Sequence, residues 1–140
     1  MNPKFFTVEE ANALTGFLDR TLERIRRNRQ RYLWLQEELS ILKLIVGCGA
    51  DDSNRDAVEL EEKLAQLDAV EREIERAKAA IEDTGCIVKD EEKGLIDFFS
   101  IQNNTVVYLS WQRGEDSVKY WRSIRETDLS VRLPLGSHSK

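Results

Sequence analysis

Residues 8–46 have the sequence VEEANALTGFLDRTLERIRRNRQRYLWLQEELSILKLIV, in which an apolar residue returns every seven positions. The repeat consists of Ala11, Leu18, Ile25, Tyr32, Leu39 and Val46, and a companion stripe consists of Leu14, Leu35 and Leu42. Seven-residue spacing places apolar side chains along one face of a helix. Thr7 and Glu10 form a capping box at its start. The pattern therefore predicts one long helix over residues 8–46, which ends at the following Gly47-Cys48-Gly49.

A second repeat of the same period follows a polar loop at Asp51–Asn54. Its members are Leu60, Leu67, Ile74 and Ile81, joined by Leu64, Val70 and Ala77. The repeat predicts a second helix over residues 54–84, with Gly85 at its end. A short loop makes consecutive helices antiparallel neighbours. The stripes then meet in layers that pair Leu39 with Leu60, Tyr32 with Leu67, Ile25 with Ile74, and Leu18 with Ile81.

Residues 86–124 change to short runs rich in β-branched and aromatic residues, separated by turn-forming residues. These runs predict a small antiparallel β module. Asn103-Asn104 fits a tight hairpin turn, because asparagine tolerates a positive φ. The segment Val118–Ile124 fits either a strand or a short helix, and residues 125–140 are expected to form a poorly ordered tail. We expect an α+β fold in one domain over residues 1–140: a long, coiled-coil-like antiparallel helical hairpin with the β module packed at its base.

Composition and charge narrow the class of protein. Hydrophobic residues make up 41% of the chain, which is enough for a core, and the net charge of −5 disfavours a general polyanion binder. The N-terminus lacks an apolar signal-peptide core, and residues 33–46 are too polar and too short to span a bilayer. Cys48 and Cys86 lack the spacing of a metal or redox pair. We therefore expect a cytoplasmic protein with reduced thiols and with neither a membrane nor a nucleic-acid partner.

Several short motifs together resemble one known family. They are FTVEEANAL at 6–14, VKD at 88–90, GLIDF at 94–98, VYLSW at 107–111, Gly114-Glu115 and Tyr120-Trp121. This set resembles the family called domain of unknown function 2203, over nearly the whole chain. The resemblance implies a bacterial cytoplasmic protein with a helix pair, a β module and no assigned activity. Members often have a cysteine where this chain has Ser110 and a histidine where it has Arg122, so a Cys/His metal site suggested by such relatives would lack two ligands here.

An acidic residue inside an apolar strand is the first candidate for a site. Asp97 lies between Ile96 and Phe98 and needs a basic partner if it is buried. Arg113 and Arg122 are the expected partners. The full candidate ligand or ion-pair site consists of Asp97, Trp111, Arg113, Glu115, Trp121 and Arg122. Three roles are open for these residues. They could form a structural ion pair with aromatic packing, or a pocket for a small molecule or anion. They could also bind a metal through carboxylates, together with Asp90, Glu91, Glu92 and Asp116.

No catalytic constellation is recognisable in the chain. The one histidine, His138, is the third residue from the end of the sequence printed here, and no nucleotide-binding or zinc-protease motif is present. We expect no catalytic residues, no metal and no cofactor, and we lean against an enzyme. An arginine run at residues 20–31 could bind phosphates. In the predicted register, however, residues 24–31 face residues 68–75, which include Asp68, Glu71, Glu73 and Glu75, and this favours salt bridges between the helices.

A second apolar stripe on helix one has no predicted helical partner. It consists of Leu33, Trp34, Ile41, Leu44 and Ile45. Such a stripe is typical of an interface, and a twofold axis would pair two hairpin tips into a four-helix bundle. The alternative is that the C-terminal tail covers it. We therefore expect a non-catalytic scaffold or interaction module that forms a homodimer or higher oligomer. The alternative function is binding of a small molecule or anion at the basic and aromatic β module, and the third is a carboxylate-metal enzyme.

Overall fold

The computed structural model describes residues 4–49 and 55–136. Two helices are followed by five strands: α1 Val8–Gly47, α2 Arg55–Asp83, β1 Ile87–Asp90, β2 Leu95–Gln102, β3 Thr105–Gln112, β4 Tyr120–Ser123 and β5 Leu133–Pro134. The α+β class, with two long helices before an antiparallel β module, is thereby confirmed. The predicted loop at Asp51–Asn54 and the residue His138 lie outside the described residues.

The chain forms two compact units. The first contains the chain up to Glu23 and the chain from Lys78 onward, and the second contains residues Arg24–Ala77. The sheet and the first turns of α1 belong to the first unit, and the second unit is purely helical. Neither described helix combines the length and the apolar character that crossing a membrane would require.

The two helices of the helical unit pack against each other in antiparallel orientation. Arg24 donates a hydrogen bond of 2.5 Å to Glu73, whereas Trp34, further along α1, lies under the Lys63 ammonium at 4.8 Å. Advancing along α1 therefore means moving back along α2. Ile25 and Ile74, which were predicted to share a layer, are both buried. Leu35, Leu39, Leu42 and Val70 are buried as well, so part of the two apolar stripes forms this core. Leu64, which was predicted for the stripe of α2, is exposed by 43%.

The sheet of the first unit has the order β1-β2-β3-β4-β5, with every neighbouring pair antiparallel. The β2–β3 hairpin turns at Asn103 and Asn104, whose φ angles are 51° and 61°. A two-residue turn with both φ angles positive matches the twist of the flanking strands, so the predicted tight turn is confirmed. It pairs Gln102 with Thr105 and thereby places Asp97 opposite Ser110.

Alternation along the strands gives the sheet an apolar face and a polar face. The apolar face carries Ile96, Phe98, Leu109, Trp111 and Trp121, all buried. The Phe6 ring packs edge-to-face on Phe98 at 5.1 Å, and the Phe6 amide donates to the Phe99 carbonyl oxygen at 2.7 Å. The capping box of Thr7 and Glu10 is present, with bonds of 2.9 and 3.1 Å, so α1 begins directly after this contact.

The last described segment returns to the sheet. Tyr120–Ser123 is the strand β4, which decides between the two alternatives left open for Val118–Ile124. Residues 125–136, which were expected to belong to a tail, include β5, where Leu133 pairs with Trp121 and Pro134 with Tyr120. Proline is tolerated here because β5 is an edge strand. The segment therefore completes the sheet instead of leaving it.

Candidate functional site

The polar face of the sheet contains a charged pair from which water is excluded. Asp97 on β2 and Arg122 on β4 are exposed by only 0% and 1%, and Ser110 on β3 lies between these strands with an exposure of 0%. We call these three residues the buried polar cluster. Arg122 Nη1 donates to Asp97 Oδ2 at 2.6 Å, and Arg122 Nη2 donates to the Glu126 carbonyl oxygen at 3.0 Å. The cluster thus ties the central strands to the chain that follows β4.

The electrostatics of Asp97 reflect two opposing effects. Burial raises the pKa of Asp97, because a carboxylate loses its hydration there, while Arg122, Lys89, the Ser110 hydroxyl and Arg132 act to lower it. The net direction is upward. Within residues 4–49 and 55–136, the buried atoms Asp97 Oδ1 and Arg122 Nε find no hydrogen-bond partner. The pair is therefore joined by a short bond between Arg122 Nη1 and Asp97 Oδ2, while one further polar atom of each residue lacks a hydrogen bond.

A second arginine lies beside this cluster. Arg132 precedes β5, and its guanidinium donates to both carboxylate oxygens of Glu115 at 2.7 Å. It also donates to Ser110 Oγ at 2.9 Å and to the Ser110 carbonyl oxygen at 3.1 Å. The guanidinium carbon lies 4.3 Å from the centre of the Tyr120 ring. Together Ser110, Glu115 and Tyr120 form what we call the arginine pocket.

Glu115 is fixed in position by the turn that follows β3. Its carboxylate accepts a hydrogen bond from the Gln112 amide at 2.7 Å, and its carbonyl oxygen accepts one from Trp111 Nε1 at 3.0 Å. Burial acts to raise the pKa of Glu115, but the hydrogen bonds from Arg132 and from Gln112 outweigh it, so the pKa is lowered. The carboxylate is therefore ionised and suited to bind a cation.

The rim of the polar face is aromatic and basic. Lys89 Nζ lies 4.5 Å from the centre of the Tyr108 ring and 3.5 Å from its hydroxyl. Phe99 packs against Tyr108 with a centroid distance of 5.1 Å. Both Lys89 and Tyr108 are half-buried. This rim offers a cation, a phenol and aromatic surface at the side of the buried polar cluster.

The structure separates the residues predicted to form one site. Asp97 and Arg122 are paired, and Glu115 joins their neighbourhood through Arg132 and Ser110. Trp111 and Trp121 lie on the opposite face of the sheet, in the core. Arg113, expected as a partner of Asp97, instead donates to Asp19 at 2.9 Å and to Glu23 at 2.6 Å on α1. Strand alternation is the reason, since Arg113 shares its parity with Trp111.

The predicted site residues did not include Lys89, Tyr108, Ser110, Tyr120 or Arg132, which the structure places on the polar face or at its rim. Tyr108 could have been placed from the Asn103-Asn104 turn, which fixes the register of β2 and β3 and thus the face of every β3 residue. Tyr120 lies on β4, whose register that turn does not set. Arg132 carried no such signal, because the strand that follows it is only two residues long.

The acidic residues near β1 serve the turn that follows it. Asp90 Oδ1 accepts a hydrogen bond from the Lys93 amide at 3.0 Å, and Glu91 lies 3.6 Å from Lys78 Nζ. Asp116 pairs with Lys119 at 2.8 Å. Among the described residues, no three histidine, cysteine or acidic side chains gather as a metal site would require.

The helical unit presents the second apolar stripe to solvent. Leu33, Trp34, Ile41 and Leu44 are exposed by 64%, 49%, 49% and 74%, while Ile45 is half-buried. Leu33, Leu39, Leu64 and Leu67 line a shallow groove of about 540 Å³ between the helices, with Glu37 and Lys43 also among its lining residues. Arginines of the run at 20–31 contribute salt bridges here, as in Arg24–Glu73, and Tyr32 bonds to Glu71, which raises the pKa of Tyr32.

A comparison with known protein families finds a match over most of the chain. The family model described as "Uncharacterized conserved protein (DUF2203)" matches residues 4–129. The match includes the buried polar cluster and Glu115 and stops before Arg132. No curated protein and no solved structure matches the chain.

Proposed function

The chain belongs to the DUF2203 family of uncharacterized conserved proteins, and because that membership assigns no activity, we propose from the molecule itself that it is a non-catalytic interaction module that self-associates. The interface is the exposed stripe of Leu33, Trp34, Ile41, Leu44 and Ile45, which we call the apolar face of α1. The single observation that carries the proposal is the solvent exposure of Leu33, Trp34, Ile41 and Leu44, four large apolar side chains on one helix.

The geometry of α1 places these five apolar side chains on one side of the helix, with Glu37 among them. At about 100° per residue, the five side chains fall within an arc of about 120°, roughly opposite the buried stripe of Leu35, Leu39 and Leu42. Leu64 of α2 is exposed as well and lines the same groove as Leu33. Large apolar side chains grouped on a protein surface typically mark an interaction site.

A second copy of this chain is the partner that fits the surface. A twofold axis brings the same stripe from both copies together, and the two helices of each copy then complete a four-helix arrangement. Trp34 suits the centre of such a contact, because Lys63 already covers its ring on one side at 4.8 Å and limits its motion. Glu37 and Lys43 at the groove have opposite charges, so a twofold contact can pair one with the other across copies.

Light scattering coupled to size-exclusion chromatography tests this proposal. We expect the wild type to be a dimer or larger at micromolar concentration. Trp34→Glu combined with Ile41→Glu should give monomers, because each change places a charge in a surface that must lose its water on association. Ile101→Glu is the matched control, since Ile101 is also exposed, at 55%, but lies on the sheet. A monomeric wild type would sink the proposal.

A second candidate function is binding of a small anion at the rim of the polar face. The observation that favours it is the position of Lys89 beside the Tyr108 hydroxyl and within the field of Arg122. Inorganic phosphate is the simplest probe. It should raise the melting temperature of the wild type and leave the melting temperature of Lys89→Met unchanged. Equal responses of the two proteins would remove this candidate.

The proposed location is the cytoplasm. It is supported by the two cysteines, Cys48 and Cys86, which are both free thiols. Free thiols persist in reducing compartments, and burial raises the pKa of the Cys86 thiol, which keeps it protonated and unreactive.

A further inference from the structure

We propose that the arginine pocket is a binding site for an extended, arginine-bearing peptide segment, and that residues 130–135 of this chain occupy it as an intramolecular ligand. The inference is independent of self-association through α1. It concerns the first unit alone, and nothing in the family match assigns it, since that match ends at residue 129.

The pocket has the chemistry that selects a guanidinium. A planar guanidinium with five N–H donors matches a carboxylate bidentately and stacks on aromatic rings. Glu115 supplies the carboxylate with two bonds of 2.7 Å, and Ser110 supplies a hydroxyl and a carbonyl oxygen. Tyr120 supplies the ring at 4.3 Å. A lysine ammonium could satisfy only part of this set.

The pocket is held together by contacts that do not involve Arg132. Ser110 lies in the central strand β3 and pairs with Asp97 and Tyr120 on either side. Glu115 is fixed by the Gln112 amide and by Trp111 Nε1. Each wall of the pocket thus belongs to the sheet or to its tight turn, so the site remains formed when the guanidinium leaves.

The occupying segment, by contrast, is held mainly by its polar contacts. Val131, Leu133 and Pro134 are exposed, and β5 adds only two residues to the outer edge of β4. Leu135 donates one further bond to the Lys119 carbonyl oxygen at 2.8 Å. Strand addition at a sheet edge, with one side chain in a specific pocket, is a recurrent mode of peptide recognition. The same peptide supplied by another molecule can therefore replace the segment.

Emptying the pocket in the chain of residues 1–140 tests the proposal. The variant is Arg132→Ala, and the probe is the peptide Ser-Val-Arg-Leu-Pro-Leu, blocked at both ends and titrated by calorimetry. We expect saturable binding to the variant and at least a tenfold weaker affinity for the wild type, in which Arg132 competes. A peptide with citrulline at the arginine position is the matched control, because it keeps the shape and loses the charge, and it should bind at least tenfold more weakly.

Two further variants keep the result decisive. Arg132→Gln retains a long side chain against Tyr120 and covers the possibility that Arg132→Ala fails to fold. Adding Glu115→Gln to either variant should abolish the preference for arginine over citrulline. Absent binding, equal binding of the two peptides, or loss of folding in both Arg132 variants would overturn the proposal, since the last outcome would make Arg132 an obligatory part of the fold.

Discussion

Asp97 and Arg122 form an ion pair that is sealed inside the sheet, and such a pair is a poor source of stability. Each charge loses its hydration on burial, and the attraction between them only about repays that cost. The two unpartnered atoms, Asp97 Oδ1 and Arg122 Nε, add to the cost. The contribution of the pair is to connect β2 with β4 across β3, and Arg122 also connects β4 to Glu126.

Removing one member of this pair should be far more harmful than removing both. Asp97→Ala leaves the Arg122 guanidinium buried without its counter-charge, and we expect a loss of about 3–5 kcal/mol in the free energy of unfolding. Asp97→Leu combined with Arg122→Met removes both charges and should recover most of that loss. Urea denaturation of the three proteins measures the difference. If Asp97→Ala were as stable as the wild type, the charge would not be confined as the structure places it.

The sequence predicted that Asp97 needs a basic partner, but the predicted site combined residues from both faces of the sheet. The need follows from local chemistry, because an acid between Ile96 and Phe98 is costly to bury unpaired. Assigning the partner requires the register. The Asn103-Asn104 turn contains that information, since it sets Asp97 opposite Ser110 and sends Trp111 and Arg113 to the other face.

The element most constrained by close packing is the turn between β1 and β2. Gly94 has a φ of +70°, and a Cβ atom on it would lie 2.6 Å from the Cβ of Arg113. The Gly94 carbonyl oxygen also accepts the Arg113 amide at 2.9 Å. Because the clashing atom is next to the backbone, it cannot move aside as the end of a flexible side chain would.

Gly94→Ala should therefore destabilise the protein beyond the cost of its backbone conformation. An alanine in the left-handed region costs about 1–2 kcal/mol by itself, and displacement of Arg113 adds to it. Gly49→Ala is the matched control, because Gly49 has a φ of +74° and no atom within 4 Å of the added Cβ. Denaturation curves should rank the wild type first, then Gly49→Ala, then Gly94→Ala; the two variants having equal stability would contradict the clash.

The elements differ in how far sequence could predict them, for a physical reason. The sequence located both helices to within one residue. Their apolar positions recur many times along each helix and their caps mark the ends, and both signals are local in sequence. Residues 125–136 were assigned to a tail because β5 has two residues and its anchoring is non-local: Arg132 reaches Ser110 and Glu115 in other parts of the chain. Local sequence patterns do not indicate contacts between residues that are distant in the chain.

At the scale of the whole molecule, the two compact units carry two different kinds of surface. The helical unit offers a mainly apolar face, with Glu37 among its apolar side chains, which suits a second copy of the same chain. The sheet unit offers the arginine pocket, which is polar and directional and suits one chemical group. Because Trp34 and Ile41 belong to one unit and Glu115 and Arg132 to the other, variants at each surface can be interpreted separately.

Self-association makes a final prediction about thermal stability. If association stabilises the folded chain, the melting temperature must rise with protein concentration, because mass action favours the associated state. For a dimer, a tenfold increase in concentration contributes about 1.4 kcal/mol per dimer, which corresponds to about 2 °C for a chain of this size. Differential scanning calorimetry at several concentrations measures the shift. Ile101→Glu should retain the wild-type slope, and Trp34→Glu with Ile41→Glu should show none. A wild-type melting temperature that stays constant over a hundredfold range would mean that the apolar face of α1 does not bind a second copy.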